Sequence, residues 1–288
     1  MTGTDGARPA TAGRAPSAAG EAGTGPDEPL LRLRNIGKNF GPVHALSGIN
    51  LDIPPGKVTA LVGDNGAGKS TLIKTVSGIW EPSEGELIWQ GKPVHFHSPR
   101  DATEAGIATV YQDLALADNL DIVQNMLLGH EVTRHGLLDE VEMEQTAKRT
   151  LADLRVVTVR NIRQPVGSLS GGQRQSVAVA KAVILDAKLV IMDEPTAALG
   201  VSQTELVLDI IQRLASRGIA VLLISHNLTD VFKVADRLAV LYLGRLVSTG
   251  PVSDYDTSLA VHWMTTGTAP GNGTAPGDHA GIANSTEG

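Results

Sequence analysis

The 288-residue chain contains no cysteine. Disulfides, thiolate metal sites and a cysteine nucleophile are therefore excluded, and a reducing compartment fits. Aromatic residues make up only 3% of the chain. A core of the size that 42% hydrophobic composition supports must then be filled by Leu, Val, Ile and Ala. Positive charge is scarce and scattered: formal net charge is −7 and no run of Lys and Arg stands out. A nucleic-acid surface needs clustered cations, so nucleic acid is not an expected partner. No apolar run approaches the ~20 residues that span a bilayer. Arg8 and Arg14 are followed by no apolar segment, so the N-terminus does not read as a secretory signal. The chain is expected to be soluble or peripheral, held at a membrane, if it works there, by something else.

What is present divides into three parts. Residues 1–28 and 266–288 are dominated by Ala, Gly, Thr and Pro, with "GTAP" repeated in the second stretch. Both lack the apolar content to offset ordering entropy and are expected to be disordered tails. Between them, residues 29–265 alternate short apolar strands with helical patterns, as in an α/β domain on a largely parallel sheet. "LLRLRNI" and "INLDI" alternate as strands. "KVTALVG" is a continuous apolar run, typical of a strand covered on both faces. "GELIWQGKPV" reads as a hairpin, and Arg237–Leu243 pairs with Arg245–Thr249 around Gly244. Leu189–Met192 and Ile219–Ile224 are further buried strands. Ser98 with Pro99 opens a short helix. Ser202 with Glu205 reads as a capping box. Asp113 to Arg155 is read as mostly helical, part of an inserted helical subdomain of about residues 113–180.

Two glycine-rich stretches carry the chemistry. "LVGDNGAGKST" places Gly63, Gly68, Lys69 and Ser70 in the spacing G-x-x-x-x-G-K-[ST], between a buried strand and a helix. Such a loop turns its backbone N–H groups inward as an anion nest. The helix start adds partial positive charge, Lys69 reaches β- and γ-phosphates, and Ser70 can ligate Mg²⁺. The expected ATP contacts run through Gly63, Asp64, Asn65, Gly66, Ala67, Gly68, Lys69, Ser70 and Thr71. "KLVIMDEP" ends a buried strand in Asp193 and Glu194, a costly pair of carboxylates unless a cation or polar ligand meets them. Asp193 is placed to hold magnesium through water and Glu194 to act as general base. The second stretch, "SLSGGQRQ", precedes a helix read from Arg174 to Leu185. A serine and two glycines at a helix start form another anion site. With one cradle already on the chain, a second is useful when it faces a nucleotide held by another subunit.

"LSGGQ", Leu169 to Gln173, resembles the signature sequence of ABC-type ATPases, and the resemblance extends over essentially the whole folded part. It implies a P-loop fold with a mostly parallel sheet core, an antiparallel β subdomain and the inserted helical subdomain. By resemblance, Phe40 in "GKNFGPVHAL" stacks on adenine. Gln112 in "TVYQDL" touches the metal and water site and joins catalysis with Glu194. His226 in "VLLISHN" is the switch histidine, bonding the γ-phosphate and orienting Glu194 and water. Ser170, Gly171, Gly172 and Gln173 contact the ATP of a partner subunit. The metal ligands are Ser70, Gln112 and Asp193, and the cofactors are ATP and Mg²⁺. One position departs: the family usually has Ser-Ala-Leu-Asp after the acid-tipped strand, whereas here Ala197-Ala198-Leu199-Gly200 omits the aspartate. "TAALG" and "VYQDLALADNLDIVQNMLLG" resemble the ribose, xylose and fructose importers. The implied role is the ATP-hydrolysing subunit of a simple-sugar importer at the cytoplasmic face of the membrane. Its implied partners are a second copy of itself or another ABC ATPase, transmembrane permease subunits and, indirectly, a sugar-binding protein. The alternatives are an ABC ATPase of another import system or a soluble ABC factor. A P-loop kinase or GTPase leaves "LSGGQ" unexplained.

Overall fold

The computed structural model describes residues 28–156, 158, 159 and 161–269. The two expected tails lie outside the described residues, apart from Glu28 and residues 266–269. The chain opens with β1 (Leu31–Phe40), β2 (Val43–Ile53), β3 (Val58–Val62), α1 (Lys69–Val76), β4 (Glu84–Trp89), β5 (Lys92–Val94), α2 (Pro99–Glu104) and β6 (Ile107–Val110). Next come α3 (Ile122–Leu127), the two-residue strands β7 (Thr133–Arg134) and β8 (Leu137–Leu138), α4 (Glu140–Asp153) and α5 (Gly171–Ile184). It closes with β9 (Leu189–Asp193), α6 (Val201–Ser216), β10 (Ala220–Ile224), α7 (Leu228–Val234), β11 (Arg237–Tyr242), β12 (Arg245–Pro251) and α8 (Thr257–Thr266).

The central sheet has the order β12-β11-β3-β10-β9-β6. All its neighbours run parallel except the edge pair β11 and β12. Period-two alternation feeds a core on each face. Val58, Ala60 and Val62 of β3, with Val190 and Met192 of β9, pack toward the α5, α6 and α7 side. Leu61, Leu189 and Ile191 point the other way, onto Leu72, Ile73 and Val76 of α1 and onto Leu31, Leu33 and Ile49. Those last residues belong to a separate antiparallel sheet, β2-β1-β4-β5, which covers α1. Strands buried on both faces need apolar residues at every position, which is why these strands read as continuous runs. Each fully buried aliphatic side chain stabilises by about 1.5–3 kcal/mol relative to exposure.

Several local expectations hold. Ser98 caps α2 in a capping box with Asp101, and Pro99 is the first helical residue. Three are corrected. The helix read from Arg174 begins at Gly171. No Ser202–Glu205 box forms: α6 starts at Val201, with Gly200 in the extended cap conformation (φ −73, ψ 162) and no side-chain cap. Ser202 is already inside the helix and cannot cap it. Within residues 113–155 only α3 (6 residues) and α4 (14 residues) are helical, fewer than half the stretch, and the rest is loop and a small hairpin. α3, α4 and α5 pack on one another as a helical layer beside the sheet.

Candidate active site

Four adjacent parallel strands, β3-β10-β9-β6, deliver their C-terminal ends to one edge of the sheet. That edge is where open α/β sheets gather ligands. β3 is followed by the glycine loop, β9 ends in Asp193 before Glu194, β10 is followed by Ser225 and His226, and Gln112 stands just past β6. Asn65, Gly66, Gly68, Lys69, Ser70, Thr71, Gln112, Asp193 and Glu194 line one cavity of about 290 Å³.

The loop's shape requires its glycines. A Cβ on Gly63 would sit 2.4 Å from the Leu241 carbonyl oxygen, so backbone fills the space a side chain needs. Gly68 holds φ +105 at the N-cap of α1, a left-handed conformation that costs other residues. α1 has no side-chain cap, so its first N–H groups face the cavity without a local acceptor. The Lys69 ammonium donates to the carbonyls of Gly63 (2.7 Å) and Asp64 (3.0 Å). Two expected contacts build the loop instead of lining it. Gly63 is buried, and Ala67 is buried with its N–H donating to Asp64 O and its carbonyl accepting from Gly244 N–H. Asp64 is exposed and accepts from the Asn65 N–H.

The acidic side of the cavity is held under tension. Burial raises the Asp193 carboxyl above the usual range, the neighbouring Glu194 adds to the rise, and Lys69 and Lys74 oppose it. Among the described residues the Asp193 side chain has no hydrogen-bond or ion-pair partner. Glu194 sits at φ +50, a left-handed conformation sparsely used by non-glycine residues and concentrated at functional sites. Its N–H donates to Ile224 O (3.0 Å), which ties β9's exit to β10. Its Oε2 lies 2.8 Å from Nδ1 of His226, whose ring is otherwise exposed.

The second glycine stretch has a different geometry. Ser170 caps α5 in a reciprocal box: its Oγ accepts from Gln173 N–H (3.4 Å) and Gln173 Oε1 accepts from Ser170 N–H (2.9 Å). Gln173 also donates to Thr158 O (2.7 Å). A Cβ on Gly171 would meet Leu199 Cδ2 at 2.8 Å, and one on Gly172 would meet Gln203 Cβ at 2.9 Å. The glycines thus let the start of α5 lie against the start of α6. None of Ser170–Gln173 lines the Lys69 cavity. Gly171 instead borders an adjoining one of about 260 Å³ that shares Gln112 and Glu194; the buried Gln175 also lines it, and its amide nitrogen has no hydrogen-bond partner among the described residues.

Phe40 stands apart, 41% exposed at the end of β1. Its ring meets Trp80 edge-on at 4.8 Å, with the Lys38 ammonium 5.3 Å from its centroid. Trp80, Thr196, Asn227 and Asp230 were not singled out by the sequence. Trp80 and Asp230 gave no local signal, whereas Asn227 before an apolar helix is a cap signal, and it does cap α7.

A glycine cradle at a helix start, faced by an acid-tipped strand and a histidine-bearing loop, defines a P-loop ATPase. The chain belongs to the ABC transporter family, whose model matches residues 46–197. It is similar to the fructose import ATP-binding protein FrcA of Rhizobium meliloti, at 48% identity over 83% of this chain and 94% of that one. The xylose/arabinose import ATP-binding protein XylG of Sulfolobus acidocaldarius is 47% identical over 76% of this chain and 86% of its own length. Among solved structures, the ADP conformation of MJ1267, an ATP-binding cassette of an ABC transporter, superposes with a TM-score of 0.72 at 28% identity, covering 81% of this chain and 95% of that chain. No described helix is long and apolar enough to cross a membrane.

Proposed function

We propose that this ATPase energises import of a simple sugar, acting at the cytoplasmic face of a membrane on permease subunits. The observation that carries the catalytic part is the convergence of Lys69, Asp193 and Glu194 on one cavity, with His226 Nδ1 2.8 Å from Glu194 Oε2. The sugar part is supported by the fructose and xylose/arabinose import proteins to which the chain is similar over most of its length. In this reading the α1 N–H groups and Lys69 bind the β- and γ-phosphates, Lys69 exchanging its loop carbonyls for phosphate oxygens. Glu194 accepts the proton of the attacking water. His226 stands between Glu194 and the γ-phosphate, with Nδ1 toward the carboxylate and Nε2 toward the phosphate. Phe40 stacks on the adenine.

The residues also fit Mg²⁺. The partnerless, half-buried Asp193 carboxylate calls for a cation, and the Ser70 hydroxyl and Gln112 share its cavity. Asp193, with Ser70 and Gln112, would hold Mg²⁺ there, and the ion would supply positive charge to the transferring phosphoryl group.

Two copies sandwich two ATP molecules, each between the cradle of one and Ser170–Gln173 of the other. The groove between α5 and the segment after β6, lined by Val110, Tyr111, Leu114, Ala178, Lys181 and Leu185, receives a permease helix. Glu194→Gln tests the reading. The carboxamide keeps the shape and loses the base, so ATP binding stays while turnover falls on the order of 100-fold or more. Uptake of labelled fructose, xylose or ribose by cells whose own gene carries Glu194→Gln is expected to fall with it. Normal turnover removes Glu194 as base; lost turnover with normal uptake of all three sugars removes the sugar assignment.

A further inference from the structure

Asp230 is only 5% exposed, in the first turn of α7, and lines neither cavity of the site. A first-turn acid gains from the helix dipole even when it faces water. Burial of a carboxylate therefore needs a further compensating contact. Here a single oxygen, Oδ2, accepts two hydrogen bonds: from Thr196 Oγ1 at 2.9 Å and from Asn227 Nδ2 at 3.0 Å. Thr196 lies two residues past Glu194, and Asn227 is the residue after His226.

The β9–β10 ladder ends with Asp193 opposite Ile224. Beyond it the two exits are joined by hydrogen bonds from Glu194 N–H to Ile224 O and through the Thr196–Asp230–Asn227 bridge, and His226 Nδ1 approaches Glu194 Oε2 to 2.8 Å. Asn227 is fixed in turn. Its N–H donates to Ser225 Oγ, and its Oδ1 accepts from the N–H groups of Thr229 and Asp230. Capping α7 requires Asn227 alone; the bond to Thr196 adds nothing to the cap and does tie the neighbouring loop.

We propose that Asp230 is a positioning residue for ATP hydrolysis: by binding Thr196 and Asn227 with one carboxylate oxygen, it locks the loop carrying Glu194 to the loop carrying His226. The proposal rests on Glu194 as base and His226 as its partner. It adds that the two are held as one unit from behind, by a buried group that lines neither cavity of the site.

The test pairs kinetics with a readout in nucleotide-free protein. Thr196→Val deletes the hydroxyl at similar volume, and Asp230→Ala deletes the carboxylate. Each is expected to lower kcat on the order of tenfold or more, since small misplacements at a reacting centre cost that much. KM for ATP should stay within about twofold. The double variant should be no slower than the worse single one, because both break one bridge. Asp230→Asn, which keeps an acceptor oxygen, should recover most of the loss. Nitrogen-15 NMR of the His226 ring in the wild type should give a signature set by the close approach of Nδ1 to Glu194, and that signature should shift in Thr196→Val and Asp230→Ala. If the variants lose thermal stability while kcat and the ring signature persist, or if their effects multiply, Asp230 is a structural cap and the proposal falls. Should Asp230→Ala not fold, Thr196→Val carries the test. Normal turnover of Glu194→Gln would overturn the base assignment, while the ring signature would still read the bridge.

Discussion

The chain begins two helices with glycine and a hydroxyl, and the two starts work by opposite means. At α1, Gly66 and Gly68 take positive φ (+81 and +105) and no side chain caps the helix, so the N–H groups open into the chain's own cavity. At α5, Gly171 and Gly172 are ordinary helical residues, the Ser170–Gln173 box closes the first turn, and the glycines are needed for contact with α6. Glycine at α1 buys a backbone shape; at α5 it supplies thinness. An uncapped concave start can hold an anion alone. A capped, outward-facing start contributes only a hydroxyl and remaining N–H groups to a ligand brought from elsewhere. The difference supports the composite site, in which one chain binds ATP and another completes it.

Substitutions can break that comparison from either side. The largest effect is expected at α1. Lys69→Ala removes charge-assisted bonds to phosphate, worth about 1.5–3 kcal/mol, so ATP affinity should drop roughly 10- to 100-fold in calorimetric titration. Wild-type affinity would show that the loop is not the cradle. Next comes α5. Gly172→Ala presses a methyl against Gln203 Cβ and backbone, so the fold should lose about 1–3 kcal/mol in denaturant melts, with ATP affinity of the folded monomer kept. Loss of affinity without loss of stability would mean that Gly172 serves the chain's own nucleotide. The smallest effect falls at Gly200, where a Cβ meets open space and α6 lacks a side-chain cap. Gly200→Asp should add a few tenths of a kcal/mol by capping α6, read as a slight rise in melting temperature. A fall would show that the extended cap conformation does not persist.

Much of this was legible in the sequence, for identifiable reasons. The parallel strands stood out because burial on both faces forces unbroken apolar runs, and the α1 loop because its spacing is fixed by phosphate geometry. α5 starts three residues before the sequence pattern indicates, because glycines count against helix, although Ser170-x-x-Gln173 is itself a capping-box pattern. The Ser202–Glu205 pattern misled for the converse reason: Gly200 had already turned the chain into the helix. The Thr196–Asp230 bridge joins residues 34 apart in sequence, and the fit of Gly172 to Gln203 joins two helices. Neither leaves a periodic or local trace, because both are set by how α5, α6 and α7 stack on the sheet.

The central claim is that Ser170 and Gly171 act on the ATP of another chain. Mixing Gly171→Asp chains with Lys69→Ala chains tests it most directly. Gly171→Asp places a carboxylate beside the phosphates, and its one tight neighbour among the described residues, the movable end of Leu199, can yield. Each variant alone should be inactive in steady-state ATP hydrolysis, and Gly171→Asp should still bind ATP as a monomer. On mixing, one site unites the intact cradle of one chain with the intact Ser170–Gln173 of the other, and hydrolysis should return. If Gly171→Asp weakens ATP binding by the isolated monomer, or hydrolyses ATP at the wild-type rate by itself, the composite site is contradicted.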